Sequence, residues 1–239
     1  MRSAEQKYWL TPHVHVCVTG DYAVLLDLRR DKYIGIGREH MPALAAAVIG
    51  WPTTAQSEPE PGPSAKQLLH QMLAADMLTS DSVIGKQVRP PTLSRPQFAA
   101  IEADLEYRPQ IAVRNVLQVS IAAAQARALL KWRPIEAVVA RVQRRKEQQR
   151  AASEFDLDAA RPLVESFLYL RPLFFTTKDE CLFDSLVLVE LLAGRHLFPV
   201  WSFGVSTNPF RAHSWVQAGD RVLNDLPERV CLFTPILVV

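Results

Sequence analysis

Apolar and polar residues alternate near the N-terminus of the chain, which is the pattern of a half-buried β-strand. Residues 13–18 alternate in this way, and two further short apolar runs follow at 23–28 and 33–37, separated by turn-forming residues. The period then changes to that of helices, first over 41–49 and, after a polar loop rich in proline, over 64–77. Residues 1–84 therefore predict a three-stranded sheet with helices, a winged-helix-like α+β module.

A second pattern follows a proline-rich stretch. Residues 85–96 break any helix and have little to bury, which predicts a linker. Beyond them the pattern predicts mostly helix over 97–150, with a pause at 132–134, and two further helices at about 158–170 and 181–192. Short strands are expected at 198–205, 213–218, 221–226 and 229–238. Residues 97–239 are thus predicted to form a second α+β domain, with helices packed on a small antiparallel sheet.

Composition limits the kind of protein. The 239 residues are 49% hydrophobic, enough to bury the core of one large or two small domains. A formal net charge of +2 argues against nonspecific nucleic-acid binding, which needs a basic surface. No stretch reaches the roughly 18 apolar residues of a spanning helix, and residues 1–7 lack the apolar core of a signal peptide. The expectation is a cytoplasmic protein without a membrane span.

The cysteines and histidines indicate no metal site. Cys17, Cys181 and Cys231 are far apart and lack the spacing of a zinc site or a disulfide framework. Cys17 and Cys231 lie in predicted apolar strands, so both are expected in the core. His13 and His15 share one strand face, but no third ligand is nearby, and we predict neither a metal nor another cofactor.

Three residues of the last quarter carry candidate chemistry. With Thr177 as helix cap and Glu180 completing a capping box, Cys181 lies in the first helical turn, where backbone amides and the helix dipole favour a thiolate. His213 and Asp225 are expected on neighbouring strands, where the carboxylate can orient the imidazole. Strand alternation turns Asn224 to the other face. The three residues are the expected nucleophile, base and orienting acid of a cysteine hydrolase or transferase.

These motifs also carry a family resemblance. The runs Asp179-Glu180-Cys181-Leu182, Ala212-His213-Ser214-Trp215-Val216 and Asn224-Asp225 resemble those of the transglutaminase-like, papain-like cysteine peptidases of lasso peptide biosynthesis, often called B proteins. The resemblance covers residues 97–239. Residues 1–84 are similar in pattern to the precursor recognition element of the same pathways, related to the peptide chaperone of pyrroloquinoline quinone biosynthesis. The whole chain thus resembles the fused form of recognition element and peptidase.

The resemblance implies a substrate and a partner. The leader of a ribosomally made precursor peptide would add a strand along Tyr33, Ile34, Gly35 and Ile36, and would place apolar side chains beside Leu69 and Leu73 of the following helix. The Cys181, His213 and Asp225 triad would then hydrolyse the bond between leader and core peptide. A separate asparagine-synthetase-like, ATP-dependent lasso cyclase would join the freed amine to an acidic side chain.

Two other functions stay open. The same catalytic residues could serve an acyltransferase or transglutaminase that uses an amine in place of water. The first module could instead belong to a non-catalytic winged-helix binding protein, although its supposed recognition helix at 65–71 carries one lysine and no arginine.

Overall fold

A computed structural model describes residues 7–19, 22–52, 63–99, 112–148, 155–173 and 180–239 of the chain, which divides into two compact units. The first unit comprises residues up to 92 together with 205–210 and 234–237. The second comprises 93–204, 211–233 and 238–239.

The first unit contains the predicted three-stranded meander. Strands β2 (Val14–Thr19), β3 (Tyr22–Asp27) and β4 (Lys32–Ile36) pair antiparallel in the order β2-β3-β4, so β2 and β4 are the sheet edges. Leu25 lies opposite Val16 on one side and Ile34 on the other, so these three side chains share a face.

Helices and a small second sheet complete the first unit. A 3₁₀ turn at Arg38–His40 leads into α1 (Met41–Ala47), and α2 (Pro63–Ala74) follows. Two-residue strands β1 (Trp9–Leu10) and β5 (Leu78–Thr79) pair antiparallel. Such short strands carry no alternation, so the sequence pattern does not predict them. The α+β composition of this unit agrees with the prediction, whereas its winged-helix assignment stays a prediction.

One hydrophobic cluster holds the sheet and helices of the first unit together. It includes Leu25 of β3, Leu44 of α1 and Met72 of α2, all of them buried. Val88, which falls in the stretch predicted as a linker, is buried in the same cluster. Val88 thus contributes to the core of this unit.

The second unit is built around a buried helix. Helix α6 (Cys181–Ala193) contacts α3 (Val113–Trp132) and α5 (Leu157–Leu170), and it is buried continuously from Ser185 to Ala193. This explains why its sequence is apolar on every side instead of along one stripe. Burial of residues 185–193 fixes the helix in the core, and Cys181 is its first residue.

Helix α4 (Ile135–Gln148) is fixed by charge as well as by apolar contact. The guanidinium of Arg145 donates to the buried carboxylate of Glu190 over 2.6 Å, and Arg141 lies 3.6 Å from the same group. Glu190 is 4% exposed, so removal of Arg145 would leave a buried carboxylate with a weaker partner.

Another sheet of the chain has five strands. In spatial order they are β10 (Thr234–Val238), β7 (Val200–Thr207), β8 (Phe210–Ala218), β9 (Arg221–Val222) and β6 (Phe98–Ala99). The prediction of helix from residue 97 is wrong at its start, because β6 pairs parallel with β9. The sheet is therefore not wholly antiparallel.

The structure corrects two of the predicted C-terminal strands. The strand predicted at 221–226 ends at Val222, because the side chain of Asn224 accepts the N–H of Val216, where a longer ladder would continue. The strand predicted at 229–238 is helix α7 (Pro227–Val230) followed by β10. Pro227 suits the first turn of a helix, since it has no N–H to donate. Cys231 lies in the turn after α7 and is exposed, so its prediction as a core residue is wrong, whereas Cys17 is buried.

No helix among the described residues is long and apolar enough to cross a membrane.

Candidate active site

Cys181 is the first residue of α6, and its side chain is half-buried. Glu180 occupies the N-cap without a side-chain hydrogen bond, and Thr177, the predicted cap, lies outside the described residues. The N–H groups of Leu182 and Ser214 donate to the Cys181 sulfur. Backbone donors at the positive end of a helix dipole favour the thiolate over the thiol.

His213 and Asp225 form a close hydrogen bond beside this cysteine. His213 Nε2 lies 2.6 Å from Asp225 Oδ2, with the two side chains only 6% and 11% exposed. Because Nε2 faces the carboxylate, Nδ1 is the ring nitrogen left for the hydrogen bond between His213 and the thiol of Cys181. The N–H of Leu226 donates to the other oxygen of Asp225, which fixes the carboxylate.

Asp225 reaches the imidazole from a loop. It follows β9 and precedes α7, so its prediction on a strand beside His213 is wrong, even though its side chain meets the ring. The structure thus brings Cys181, His213 and Asp225 together from a helix start, a strand and a loop.

The electrostatics of these groups favour an ion pair. Burial opposes ionisation of Cys181, but the hydrogen bond and charge of His213 together with the backbone donors lower the pKa of the thiol. Burial also opposes protonation of His213, yet its bonds to Asp225 and Cys181 raise its pKa to about 9. Burial opposes ionisation of Asp225 too, but its hydrogen bonds to His213 and the Leu226 N–H, together with the charges of His213 and Arg229, lower its pKa. A thiolate beside an imidazolium is the ground state of a cysteine nucleophile.

Aromatic rings enclose the imidazole. Trp215 lies nearly parallel to His213 with ring centroids 6.0 Å apart, and Phe233 approaches to 4.9 Å. Gly204 leaves space for this indole, because a Cβ at residue 204 would stand 2.9 Å from the Trp215 ring. The rings keep water from one side of the His213 and Asp225 pair.

A buried cluster behind the triad was not foreseen from the sequence. Asp184, one turn after Cys181, accepts from the Asn224 amide over 2.7 Å, and Arg171 donates to the Asn224 carbonyl over 2.8 Å. Burial raises the pKa of Asp184, while the nearby Arg171 opposes this. Asn224 therefore does not turn away from the site as strand alternation predicted; it joins helix α6 and strand β8 to the loop of Asp225.

A second polar cluster fixes the start of α6 against β8. The hydroxyls of Ser185 and Ser214 form a short hydrogen bond, and the Trp201 indole donates to Ser185 over 2.9 Å. Ser214 Oγ also donates to the Cys181 carbonyl over 3.4 Å. Serine at residue 185, at the start of the buried stretch of α6, was the sequence signal for this cluster, because a buried hydroxyl requires a partner.

We expect Cys181 to react as a thiolate at pH values below the ordinary thiol pKa of 9.0, because His213 stabilises the anion. Alkylation by iodoacetamide, followed for each cysteine by peptide mass spectrometry, should stay fast at neutral pH. In His213→Ala the rate at Cys181 should fall at least about tenfold, since burial then acts unopposed by the imidazolium.

Cys231 and Cys17 are internal controls for this experiment. Cys231 is exposed and should keep its rate in the variant, while Cys17 is buried with a pKa raised to about 12 and should stay unlabelled. An unchanged rate at Cys181 in His213→Ala would mean that the imidazole does not activate the sulfur.

Asn224→Ala should destabilise the protein and slow its chemistry. The change leaves the carboxylate of Asp184 and the N–H of Val216 without the hydrogen bonds that Asn224 makes to them, at a cost of about 1–3 kcal/mol in the free energy of unfolding. Urea denaturation measures this cost, and substrate turnover at saturation should fall about tenfold as the Asp225 loop loosens. Gln97→Ala, which truncates an amide at an exposed position, should change neither quantity.

The residues predicted to bind a leader lie in the first unit. Tyr33, Ile34, Gly35 and Ile36 are in the edge strand β4, with Ile34 and Ile36 directed toward the hydrophobic cluster and Gly35 exposed. The Tyr33 ring is on the opposite face and meets Phe210 edge to face, with centroids 5.8 Å apart. Leu69 and Leu73 of α2 are half-buried and pack on the same cluster as Ile34. These leucines thus border the core below the β4 edge.

The remaining histidines form no metal site. Among the described residues, no three metal-ligating side chains come together. His13 is buried with Nε2 at 3.7 Å from a carboxylate oxygen of Asp27, and burial lowers the pKa of His15 to about 3, which leaves its ring neutral. His196 lies in the turn after α6 with a positive φ of 59°, as expected of a turn residue.

Comparison with known proteins gives a family match for the C-terminal half of the chain. Residues 120–238, a range that includes Cys181, His213 and Asp225, match the transglutaminase-like superfamily, so this range is a transglutaminase-like domain. A relative is the Microcin J25-processing protein McjB of Escherichia coli, 42% identical over 50 residues, which are 21% of this chain and 24% of McjB. The matched segment is thus well under two thirds of that protein's length. No solved structure matches the chain.

Proposed function

We propose that the chain is the leader peptidase of a lasso peptide pathway and cuts its precursor with Cys181, His213 and Asp225. The observation that supports this most strongly is the hydrogen-bonded line from Cys181 through His213 to Asp225, with the pKa of the thiol lowered and that of the imidazole raised. The short McjB match, to a protein named for processing a microcin, supports the substrate class.

The reaction follows from the positions of the three side chains. The Cys181 thiolate attacks the scissile carbonyl, and His213, protonated at rest, gives a proton to the leaving amine. Water, deprotonated by His213, then attacks the thioester, which releases the leader acid and restores the thiolate. Asp225 holds the imidazole through Nε2 and stabilises its protonated form throughout.

Helix α6 also offers a donor for the developing oxyanion. The Cys181 N–H is at the first position of the helix, where backbone donors have no partner inside the helix. A donor of this kind typically contributes about 2.7–4 kcal/mol to transition-state stabilisation.

The first unit supplies recognition in this proposal. The leader pairs as an added strand with the edge of β4 that faces away from β3. Its alternate side chains are directed toward Leu69 and Leu73. Backbone pairing gives affinity, and the side-chain pockets fix the register. A tethered leader presents the bond at its end to Cys181 at an effective concentration that a free peptide would not reach. We further propose that residues 1–84 form this recognition domain and 97–239 the peptidase domain.

Mass spectrometry of the chain incubated with the precursor peptide encoded beside its gene tests the proposal. Hydrolysis gives two products whose masses sum to that of the precursor plus one water. A product joined to an added amine, such as cadaverine, in preference to water would instead identify an acyltransferase. An uncut precursor, with salt-sensitive binding to duplex DNA, would identify a binding protein.

Ile34→Asp should weaken leader binding more than it slows cleavage at saturating precursor. A carboxylate on β4 disturbs the recognition edge but leaves the triad intact, so KM should rise about tenfold or more with kcat nearly unchanged. Fluorescence anisotropy of a labelled leader measures the binding directly. Val83→Asp, at a position that is 90% exposed, is the matched control and should bind normally. Equal losses in KM and kcat would argue against separate recognition and catalysis.

A further inference from the structure

A cavity of about 380 Å³ lies in the first unit beside β2, the sheet edge opposite β4. Its apolar wall is formed by Leu10, Val14, Val16 and Ile236, each at most 3% exposed. The volume is within the range of about 300–1,000 Å³ that is usual for ligand sites.

The polar side of this cavity is basic. Lys86 Nζ donates to the Pro12 carbonyl over 2.7 Å and lies 3.5 Å from both ring nitrogens of His15, and the exposed Arg89 stands at the mouth. Among the residues that the structure describes, none of those lining the cavity is Asp or Glu. Within the described part of the chain, no carboxylate lies within ion-pair distance of Lys86.

The ammonium of Lys86 is therefore desolvated without a counter-charge. Burial lowers its pKa to about 8, and the neutral His15 beside it cannot supply an anion. An ammonium in such a place gains from an incoming carboxylate, which replaces lost water contacts with a charge-assisted hydrogen bond.

We propose that this cavity is a second peptide-binding subsite, which takes an acidic side chain at Lys86 and an aliphatic neighbour against the wall of Leu10, Val14, Val16 and Ile236. The aliphatic wall favours a peptide over a small free anion, because a free anion would leave that wall without a partner. The lining holds no aromatic ring other than the imidazole of His15, so a nucleotide base finds little to stack on. The subsite is separate from both Cys181 and the β4 edge.

Methyl NMR of the full chain, labelled at Ile, Leu and Val, tests the proposal with capped tripeptides. N-acetyl-Leu-Glu-Val-amide should shift the methyl signals of Val14, Val16 and Ile236 saturably, and the Gln analogue should bind about tenfold more weakly. Lys86→Gln should remove the preference for Glu over Gln. Arg95→Gln, which removes an exposed positive charge elsewhere, should retain it.

Three results would overturn the proposal. They are equal binding of the Glu and Gln peptides to the unaltered chain, shifts that map to Leu69 and Leu73 instead, and saturation of the same methyls by acetate as tightly as by the peptide. The first comparison needs no variant and so does not depend on the folding of Lys86→Gln. Binding should also persist in Cys181→Ala, which alters a residue that does not line this cavity and so separates the subsite from the proposed peptidase function.

Discussion

Replacing Cys181 by alanine should abolish precursor cleavage and leave precursor binding intact. The sulfur supplies the thiolate that forms the acyl-enzyme in the proposed mechanism, so turnover should fall by at least about 10³-fold, toward the uncatalysed rate. The backbone donors at the start of α6 remain, and the small side chain is tolerated at a helix N-terminus. Cleavage is followed by chromatography, and leader binding by anisotropy.

The other two cysteines are the controls for this prediction. Cys231→Ser changes an exposed turn residue, and Cys17→Ala changes a buried residue of the first unit, so both variants should keep most of their turnover. Residual cleavage by purified Cys181→Ala at more than about a tenth of the normal rate would exclude the covalent mechanism.

Asp225→Ala should lower turnover by about 10²- to 10⁴-fold at neutral pH. Without the carboxylate, the imidazole loses the partner that orients it and that raises its pKa, and the thiolate loses its cationic neighbour in turn. The pH profile provides the sharper measurement. In the unaltered protein, kcat/KM should rise as the thiolate forms and fall as His213 deprotonates, near pH 9.

The variant should show a narrower bell-shaped profile. The pKa of His213 falls, which moves the alkaline limb to lower pH, and the pKa of Cys181 rises, which moves the acidic limb to higher pH. Asp220→Ala, in the turn between β8 and β9, should preserve both limbs. A variant that loses turnover with both limbs in place would indicate that Asp225 acts through the fold alone.

The sequence pattern was most informative where one period dominated. The three-stranded meander follows from apolar runs of five or six residues separated by turn-forming residues, and α6, with Cys181 in its first turn, follows from a longer apolar run. Strands β6 and β9 have only two residues each, and their pairing is between segments more than 100 residues apart in the sequence, so no local pattern contains it.

The candidate site was predictable in its residue types but not in its backbone. His213, Cys181 and Asp225 were identified by order and chemistry, whereas the loop that carries Asp225 depends on the Asn224 side chain, which replaces a ladder hydrogen bond. The choice between side chain and backbone as acceptor for the Val216 N–H is made by tertiary packing around Asp184. A one-dimensional pattern contains no trace of that choice, and alternation therefore assigned Asn224 to the wrong face.

The Ser185, Ser214 and Trp201 cluster has a consequence for selectivity. Its three side chains and the Cys181 carbonyl all belong to the second unit, so the nucleophile is held in register with His213 before any substrate arrives. Such a thiolate is ionised and positioned without substrate, so in the proposed reaction it would cut any peptide that reached it. If the chain is the peptidase proposed above, discrimination among peptides comes from delivery, so neighbouring peptides are protected by their weak intrinsic affinity and not by a dormant site.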